Sequence, residues 1–209
     1  MKVCSIVAKK GGVGKSAIAT NAAVCAAIDG YSVAIIDLDP QASACVWADV
    51  RDADPDLPAI PVTSIAPSRI QSALDKCDAA DVDVVVVDTA PSADSGLLAA
   101  AKAGDICLLP SKPGLADLSA LNDTVELLKN SKANSATVLN MVATKALKFE
   151  GIRALEALGL PVAPVAIWQR VAWGHAYSGG WGVVEYDPAG KAAAEMRQLW
   201  TWIKKKLEI

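Results

Sequence analysis

Soft metal ligands are scarce in this sequence. Its 209 residues include one histidine, His175, and five cysteines: Cys4, Cys25, Cys45, Cys77 and Cys107. No two cysteines form a CxxC pair, and their number is odd. That argues against a zinc site, an iron–sulfur cluster or a disulfide framework, and for small buried thiols in a reducing cytoplasm. Phenylalanine occurs once and tyrosine three times. No stretch reaches about 18 uninterrupted apolar residues, so no membrane-spanning helix is expected. The opening Met1-Lys2-Val3-Cys4-Ser5 reads straight into a strand and lacks the pattern of a secretory signal. No internal repeat, low-complexity tract or linker divides the chain, so a single domain over residues 1–209 is expected.

What is present is a globular composition, 53% hydrophobic and 21% charged, with a net charge of −3. The apolar fraction excludes a disordered chain. The average charge conceals an asymmetry. Residues 1–120 hold 9 Lys+Arg and 15 Asp+Glu, a net of −6, whereas residues 121–209 hold 11 and 8, a net of +3. A slightly acidic total therefore does not exclude a nucleic-acid partner; it predicts a polarised surface.

Strand-like apolar runs alternate with helical stretches from end to end. Strands are expected at Val3–Val7, Val33–Asp37, Val82–Asp88, Ile106–Pro110, Ala136–Val142 and Pro161–Ile167, with a short one at Ala59–Val62. Helices are expected at Ser16–Ile28, Gln41–Val50, Ser68–Cys77 (capped by Ser68), Ala93–Ala103, Leu115–Lys129, Phe149–Leu158, Val171–Ser178 and Pro188–Lys206. This alternation predicts an α/β fold, a mostly parallel twisted sheet with helices on both faces.

The clearest chemical signal follows the first strand: Lys9-Lys10-Gly11-Gly12-Val13-Gly14-Lys15-Ser16. Strand, glycine-rich loop, Lys-Ser and helix is the setting a P-loop requires. Glycines let the backbone wind around a phosphate without Cβ clashes, so the N–H groups of residues 12 to 17 can turn inward. The helix that follows adds the positive end of its dipole. Gly11, Gly12, Val13, Gly14, Lys15, Ser16 and Ala17 are thus the candidate nucleotide-binding residues. Lys15 supplies charge to the β- and γ-phosphates, and the Ser16 hydroxyl is sized to ligate Mg²⁺.

Two acidic motifs sit just past strand ends: Ile36-Asp37-Leu38-Asp39-Pro40-Gln41 and Val87-Asp88-Thr89-Ala90-Pro91-Ser92. An aspartate after a run of valines is expensive to bury unless it meets a cation or donors. Asp88 therefore reads as a second Mg²⁺ ligand, and Asp37 as a support residue nearby.

The ordinary P-loop spacing has glycine where this chain has Lys10. Lys10-Gly-Gly-Val-Gly-Lys-Ser resembles the deviant Walker A motif of the ParA/MinD family of P-loop NTPases. The resemblance runs the length of the chain. It continues in Leu108-Leu109-Pro110-Ser111 with Asp117-Leu118, in Gln169-Arg170-Val171, in Gly179-Gly180, in Val183-Val184-Glu185-Tyr186-Asp187-Pro188, and in Lys191-Ala192-Ala193-Glu195. The order of these segments is most similar to small plasmid-type ParA proteins.

The resemblance implies an ATPase that uses ATP and Mg²⁺. Lys10 would be the signature lysine that reaches across a homodimer to the partner's nucleotide, and Lys10, Lys15 and Asp39 would form the catalytic set. Asp39 would orient the attacking water, Thr89–Ser92 would sense the γ-phosphate, and Asn140 would read adenine through its side-chain amide, unless it is a plain strand-end turn residue. The implied partners are non-specific DNA and a ParB-like centromere-binding protein that stimulates hydrolysis, with the protein cytoplasmic and nucleoid-associated. Ser16-Ala17 replaces a common Thr-Thr, and Ala172 stands where some relatives have a DNA-contacting arginine. The chain starts at the P-loop strand, as in the short family type that reads no operator.

Lys145 and Lys148 on a loop, Lys112, Arg170 and the tail lysines Lys204, Lys205 and Lys206 are either solvated surface or DNA-backbone contacts. The tail can also be read as a membrane helix, although no membrane partner is expected. Trp168, Trp173 and Trp181 either pack at the nucleotide rim or form a partner surface. Cargo-positioning and MinD-like membrane-cycling ATPases are the alternative functions.

Overall fold

A computed structural model of the chain describes residues 1–91, 94–129, 133–159 and 161–209. Its centre is a sheet of parallel strands: β1 Lys2–Ile6, β2 Val33–Asp37, β3 Val62–Ser64, β4 Val84–Asp88, β5 Ile106–Ser111 and β6 Ser135–Leu139. Their order is β3-β2-β4-β1-β5-β6. The chain reverses direction across the sheet between β1 and β4, and the loops after β1, β2 and β4 open at that switch point. In register, Ile6 pairs with Asp88, and Asp37 pairs with Asp88 from the other side.

The helices are α1 Lys15–Ile28, α2 Ser43–Asp52, α3 Ile70–Ala79, α4 Asp94–Ala103, α5 Leu115–Lys129, α6 Lys145–Glu156, α7 Val171–Ser178, α8 Val183–Tyr186 and α9 Lys191–Leu207. They form two cores, one on each face of the sheet. The alternation of β4 serves both, with Val84 and Val86 packing towards α1 and α9, and Val85 and Val87 towards α3, α4 and α5. Four successive valines are the residue pattern such a two-faced position requires.

Helix α1 is apolar around most of its circumference, with Ile18 to Ala26 all buried. Its alanines permit close approach to the sheet on one side. On the other side, Gly182 comes so near Val24 that a Cβ there would lie 2.7 Å from the valine. The Asn21 side chain links these parts, since its amide donates to the Ala17 carbonyl at 2.8 Å and its oxygen accepts from the Val183 N–H at 2.7 Å.

Four expectations are corrected. The segment 161–167 is not a full strand. It meets β6 and its extension through isolated parallel bridges at Val162 and Trp168. Pro161 and Pro164 lack the N–H groups a continuous ladder needs, so pairing breaks between the bridges. Ser68 caps nothing. It lies inside a 3₁₀ turn at Pro67–Arg69, and α3 begins after that turn. Lys145 and Lys148 are not on a loop but in the first turns of α6, because the Thr144 hydroxyl accepts from the Leu147 N–H at 3.2 Å and starts the helix early. The expected strand at Ala59–Val62 is instead Val62–Ser64.

Candidate nucleotide site

The loop between β1 and α1 has the shape its glycines predict. Gly12 and Gly14 adopt φ of +68° and +88°, the left-handed region that side chains avoid. Gly14 is further constrained by space, since a Cβ there would collide with the Asn140 amide nitrogen. That nitrogen donates to the Val13 carbonyl at 2.7 Å, while the Asn140 oxygen accepts from the Met141 N–H at 2.9 Å. Asn140 is buried at the end of β6, so the sheet edge holds the P-loop backbone directly.

Lys15 is 6% exposed, and among the described residues its ammonium donates to the Lys10 carbonyl, at 3.4 Å. Burial pushes its pKa down, and Asp88 and Asp39 pull it back up. A cation held away from water and short of acceptors is prepared to receive an anion.

Asp88 is fully buried. One carboxylate oxygen accepts from the Thr89 N–H at 2.9 Å, and Oδ2 has no hydrogen-bond partner among the described residues. Burial raises its pKa to about 7. Asp37 adds to the rise, while Ser16, Lys15 and the Thr89 amide oppose it. An orphaned carboxylate oxygen beside the Ser16 hydroxyl fits a hard divalent cation. Asp88 and Ser16 would hold Mg²⁺, which would neutralise phosphate charge there.

The pH dependence follows from the sign of that shift. Because the folded pKa of Asp88 lies above the ordinary 3.8, the folded protein keeps a proton that the unfolded chain releases between those values. The stabilisation is complete below about 4 and is lost as pH rises through about 7. Mg²⁺ needs the carboxylate, so its affinity for the nucleotide complex should increase with pH up to about 7 and then level off. Calorimetry of Mg²⁺ binding in buffers of different ionisation heat should find proton release at pH 6. Asp88→Asn should abolish it, and a flat profile would remove Asp88 from the metal site.

Asp37 holds the loop that carries Asp39. Its two oxygens accept from the Asp39 N–H at 2.9 Å and the Ala44 N–H at 3.0 Å. It thereby spans the loop and caps α2 from the end of β2. Asp39 is half-exposed, and its carboxylate accepts from the Gln41 N–H at 2.9 Å. It lines a cleft of about 250 Å³ together with Gly11, Gly12, Gly14, Lys15, Ser16, Ser43, Pro91 and Tyr177. On the other side of Ala17 lies a second pocket of about 200 Å³, walled by Ile18, Asn140, Met141, Trp168, Gln169, Arg170, Trp173 and Gly174. Both pockets include Ala17, so an extended nucleotide can run over the start of α1 with phosphates in the first and base in the second. Trp168 and Trp173 wall that base pocket, and Trp181 packs on the core and accepts from the Trp47 indole through its carbonyl.

This fold matches known proteins. Residues 4–180 match the model of the CobQ/CobB/MinD/ParA nucleotide binding domain. The chain belongs to the ParA/MinD family. It is 30% identical over 204 residues to the maintenance of carboxysome distribution protein A of Gloeobacter kilaueensis, covering 95% of this chain and 92% of the relative. It is 26% identical to Protein ParA of Rhizobium radiobacter, covering 83% and 81%. Its fold superimposes on the septum site-determining protein MinD of Pyrococcus horikoshii, complexed with Mg-ADP, with a TM-score of 0.81 at 18% identity over 100% and 99% of the chains. The chain is thus a ParA/MinD-type ATPase.

The other residues singled out in this ATPase fall into distinct places. Lys10 stands at the rim of the site, paired with Asp117 of its own chain at 2.8 Å. Lys9 pairs with Asp94 at 2.9 Å. Of the segment Thr89–Ser92, the Thr89 amide faces the Asp88 carboxylate, Pro91 lines the phosphate cleft, and Ser92 lies outside the described residues.

The seven cations considered for DNA do not form one patch, Lys112 lying just past the end of β5. Arg170 is held by Glu195, its Nε donating at 3.0 Å, and it borders the base pocket. Lys145 and Lys148 lie at the nucleotide end, just past β6. Lys204 binds Asp29 at 2.6 Å, at the far end of α1. Lys204, Lys205 and Lys206 are therefore separated from the P-loop by the length of α1, about 20 Å. Among the described residues no helix is long and apolar enough to cross a membrane. The tail helix α9 packs Leu199, Trp200, Ile203 and Leu207 into the body.

Sequence reasoning missed Tyr177 and Ser43 in the phosphate cleft. It also missed Arg51, whose guanidinium is buried against Glu185 with bonds of 2.7 and 2.9 Å. None of them belongs to a local motif, and their contacts span more than 130 positions in the cases of Tyr177–Ser43 and Arg51–Glu185.

Proposed function

We propose that this ATPase partitions DNA. Two ATP-bound copies close face to face, each presenting Lys10 to the other's nucleotide, and the closed homodimer binds DNA without sequence preference. A ParB-like centromere-binding partner then stimulates hydrolysis and releases it. Lys10 is the observation that carries this reading. It occupies the signature position beside Gly11 of the phosphate loop, its side chain is 37% exposed, and its ion pair to Asp117 would exchange before it turned to a second copy. Similarity to a plasmid-type ParA over most of the chain supports the same role.

Within the site, the P-loop amides and Lys15 bind phosphate oxygens. Asp88 and Ser16 hold the cation, Asp39 orients water towards the γ-phosphate, and Asn140 together with the tryptophan-walled pocket receives adenine. Phosphoryl transfer of this kind depends on positioning and charge, so turnover should be slow until dimer and partner complete the site. DNA contacts would come from the exposed lysines Lys145, Lys205 and Lys206, aided by Lys148, as phosphate contacts without base readout.

A second reading, positioning of a protein cargo over the nucleoid, is favoured by the 30% identity to a carboxysome distribution protein. It uses the same chemistry. The membrane-cycling reading is weakened by the packing of α9, which leaves the tail's apolar face occupied.

The test is a DNA shift assay with Asp39→Ala. This variant should bind ATP normally, lose at least about 100-fold in hydrolysis, and accumulate as a DNA-bound dimer whose affinity falls steeply with salt. ATP-dependent flotation with anionic liposomes and no DNA shift would overturn the reading. Unchanged turnover would remove Asp39 from its role.

A further inference from the structure

Helix α7 touches both halves of the nucleotide cleft. Trp173 and Gly174 line the base pocket, and Tyr177, one turn further on, lines the phosphate cleft beside Asp39. The Tyr177 hydroxyl does not point at open space. It donates to the backbone carbonyl of Ser43 at 2.8 Å. Ser43 is the first residue of α2 and closes the loop that begins at Asp39.

The other ties of this loop are local. The Asp39 and Ala44 amides bond to Asp37, the Gln41 amide bonds to Asp39, and the Ala42 amide bonds to the Asp39 carbonyl at 2.8 Å. Ala42 bends the loop with φ of +49°, a left-handed conformation that alanine holds only where its surroundings enforce it. Tyr177 reaches the loop from 134 positions away and anchors it to α7. Burial, with Asp88 and Asp37 adding to it, raises the phenol pKa to about 12, so the donor keeps its proton throughout the neutral range.

We propose that Tyr177 is a positioning residue for hydrolysis: through the Ser43 carbonyl it fixes the loop that aims Asp39 into the phosphate cleft. It rests on the reading of Asp39 as the group that orients water. The hydroxyl's single proton is committed to the Ser43 carbonyl, so its removal should affect turnover and leave binding alone. Because α7 also walls the base pocket, Tyr177 gives base occupancy a mechanical route to the catalytic loop.

Tyr177→Phe deletes one oxygen and leaves the ring's packing in place. Under saturating ATP and Mg²⁺ its kcat should fall about ten- to hundredfold, the range expected for a small misplacement of a catalytic group. The ATP Kd should stay within about twofold, as expected of a group without a phosphate contact. Backbone amides at residues 41–44 should exchange faster than in the parent protein, in the absence of nucleotide. Unchanged kcat or unchanged exchange at residues 41–44 overturns the proposal. So does a loss of ATP affinity that accounts for the loss of rate, which would make Tyr177 a nucleotide contact. Failure of the underlying reading looks different: there Asp39→Ala itself retains normal turnover.

Discussion

Lys15→Ala should abolish ATP binding, weakening it at least about a hundredfold, while the nucleotide-free protein stays as stable as the parent or becomes more so. Both halves of this result come from one geometry. The ammonium is buried, its contact within the protein is a 3.4 Å approach to the Lys10 carbonyl, and burial lowers its pKa. A charge so placed opposes folding, because the folded state binds its proton less tightly than the unfolded chain does. Removing it relieves that cost. The same removal takes away the buried cation that offsets Asp88 and Asp39 beside the loop. Titration calorimetry with ATP and thermal melts with and without nucleotide measure the two effects separately. Retained affinity would overturn the P-loop assignment, and a large fall in the nucleotide-free melting temperature would show that Lys15 is structural.

The largest effect on stability is expected at Arg51. Its guanidinium is 1% exposed and meets the Pro58 carbonyl at 2.8 Å, the Gly180 carbonyl at 2.9 Å and both Glu185 oxygens. It also stacks over Trp47, 5.3 Å from the ring centre. Truncation to alanine leaves the Glu185 carboxylate in a closed site with the Gly182 N–H as its remaining donor. Breaking a buried pair from one side costs about 3–5 kcal/mol. For a domain of this size that corresponds to a drop of roughly 6–20 °C in Tm. Arg51→Lys should recover little, since a point ammonium cannot bridge two carbonyls and a carboxylate. Arg51→Met combined with Glu185→Leu should recover most of it, because neither charge is then left alone. A loss below about 1 kcal/mol for Arg51→Ala would mean that water reaches Glu185.

These cases mark where the sequence was legible. Gly12, Gly14, Lys15 and Ser16 belong to one contiguous motif whose spacing is itself the proposed chemistry, and all four line one cleft, with Asp88 buried at a neighbouring strand end. The alternation of valine runs and alanine-rich helices likewise foretold the parallel sheet. What escaped depends on partners distant in sequence. The Arg51–Glu185 pair and the Tyr177–Ser43 bond have no local pattern, and Arg170 reads as a surface cation until Glu195 is seen beside it. Asp37 was recognised as a support, but its double role, holding Asp39 and capping α2, appears only when the loop between them closes. Pro161 and Pro164 were visible in the sequence, and their missing N–H groups were enough to foresee the interrupted edge.

The packing around α1 also bears on how the protein comes into being. The phosphate loop lies within the first sixteen residues of the chain, yet the helix that completes it is apolar on nearly every side and cannot stand in water alone. Its outer cover is α8 and α9, residues 183–207, with Val183 bonded to Asn21. The helix behind the phosphate loop is therefore completed by a partner 162 positions away. A folding chain should have no competent phosphate cradle until α8 and α9 have packed on α1, so nucleotide binding should report that long-range docking.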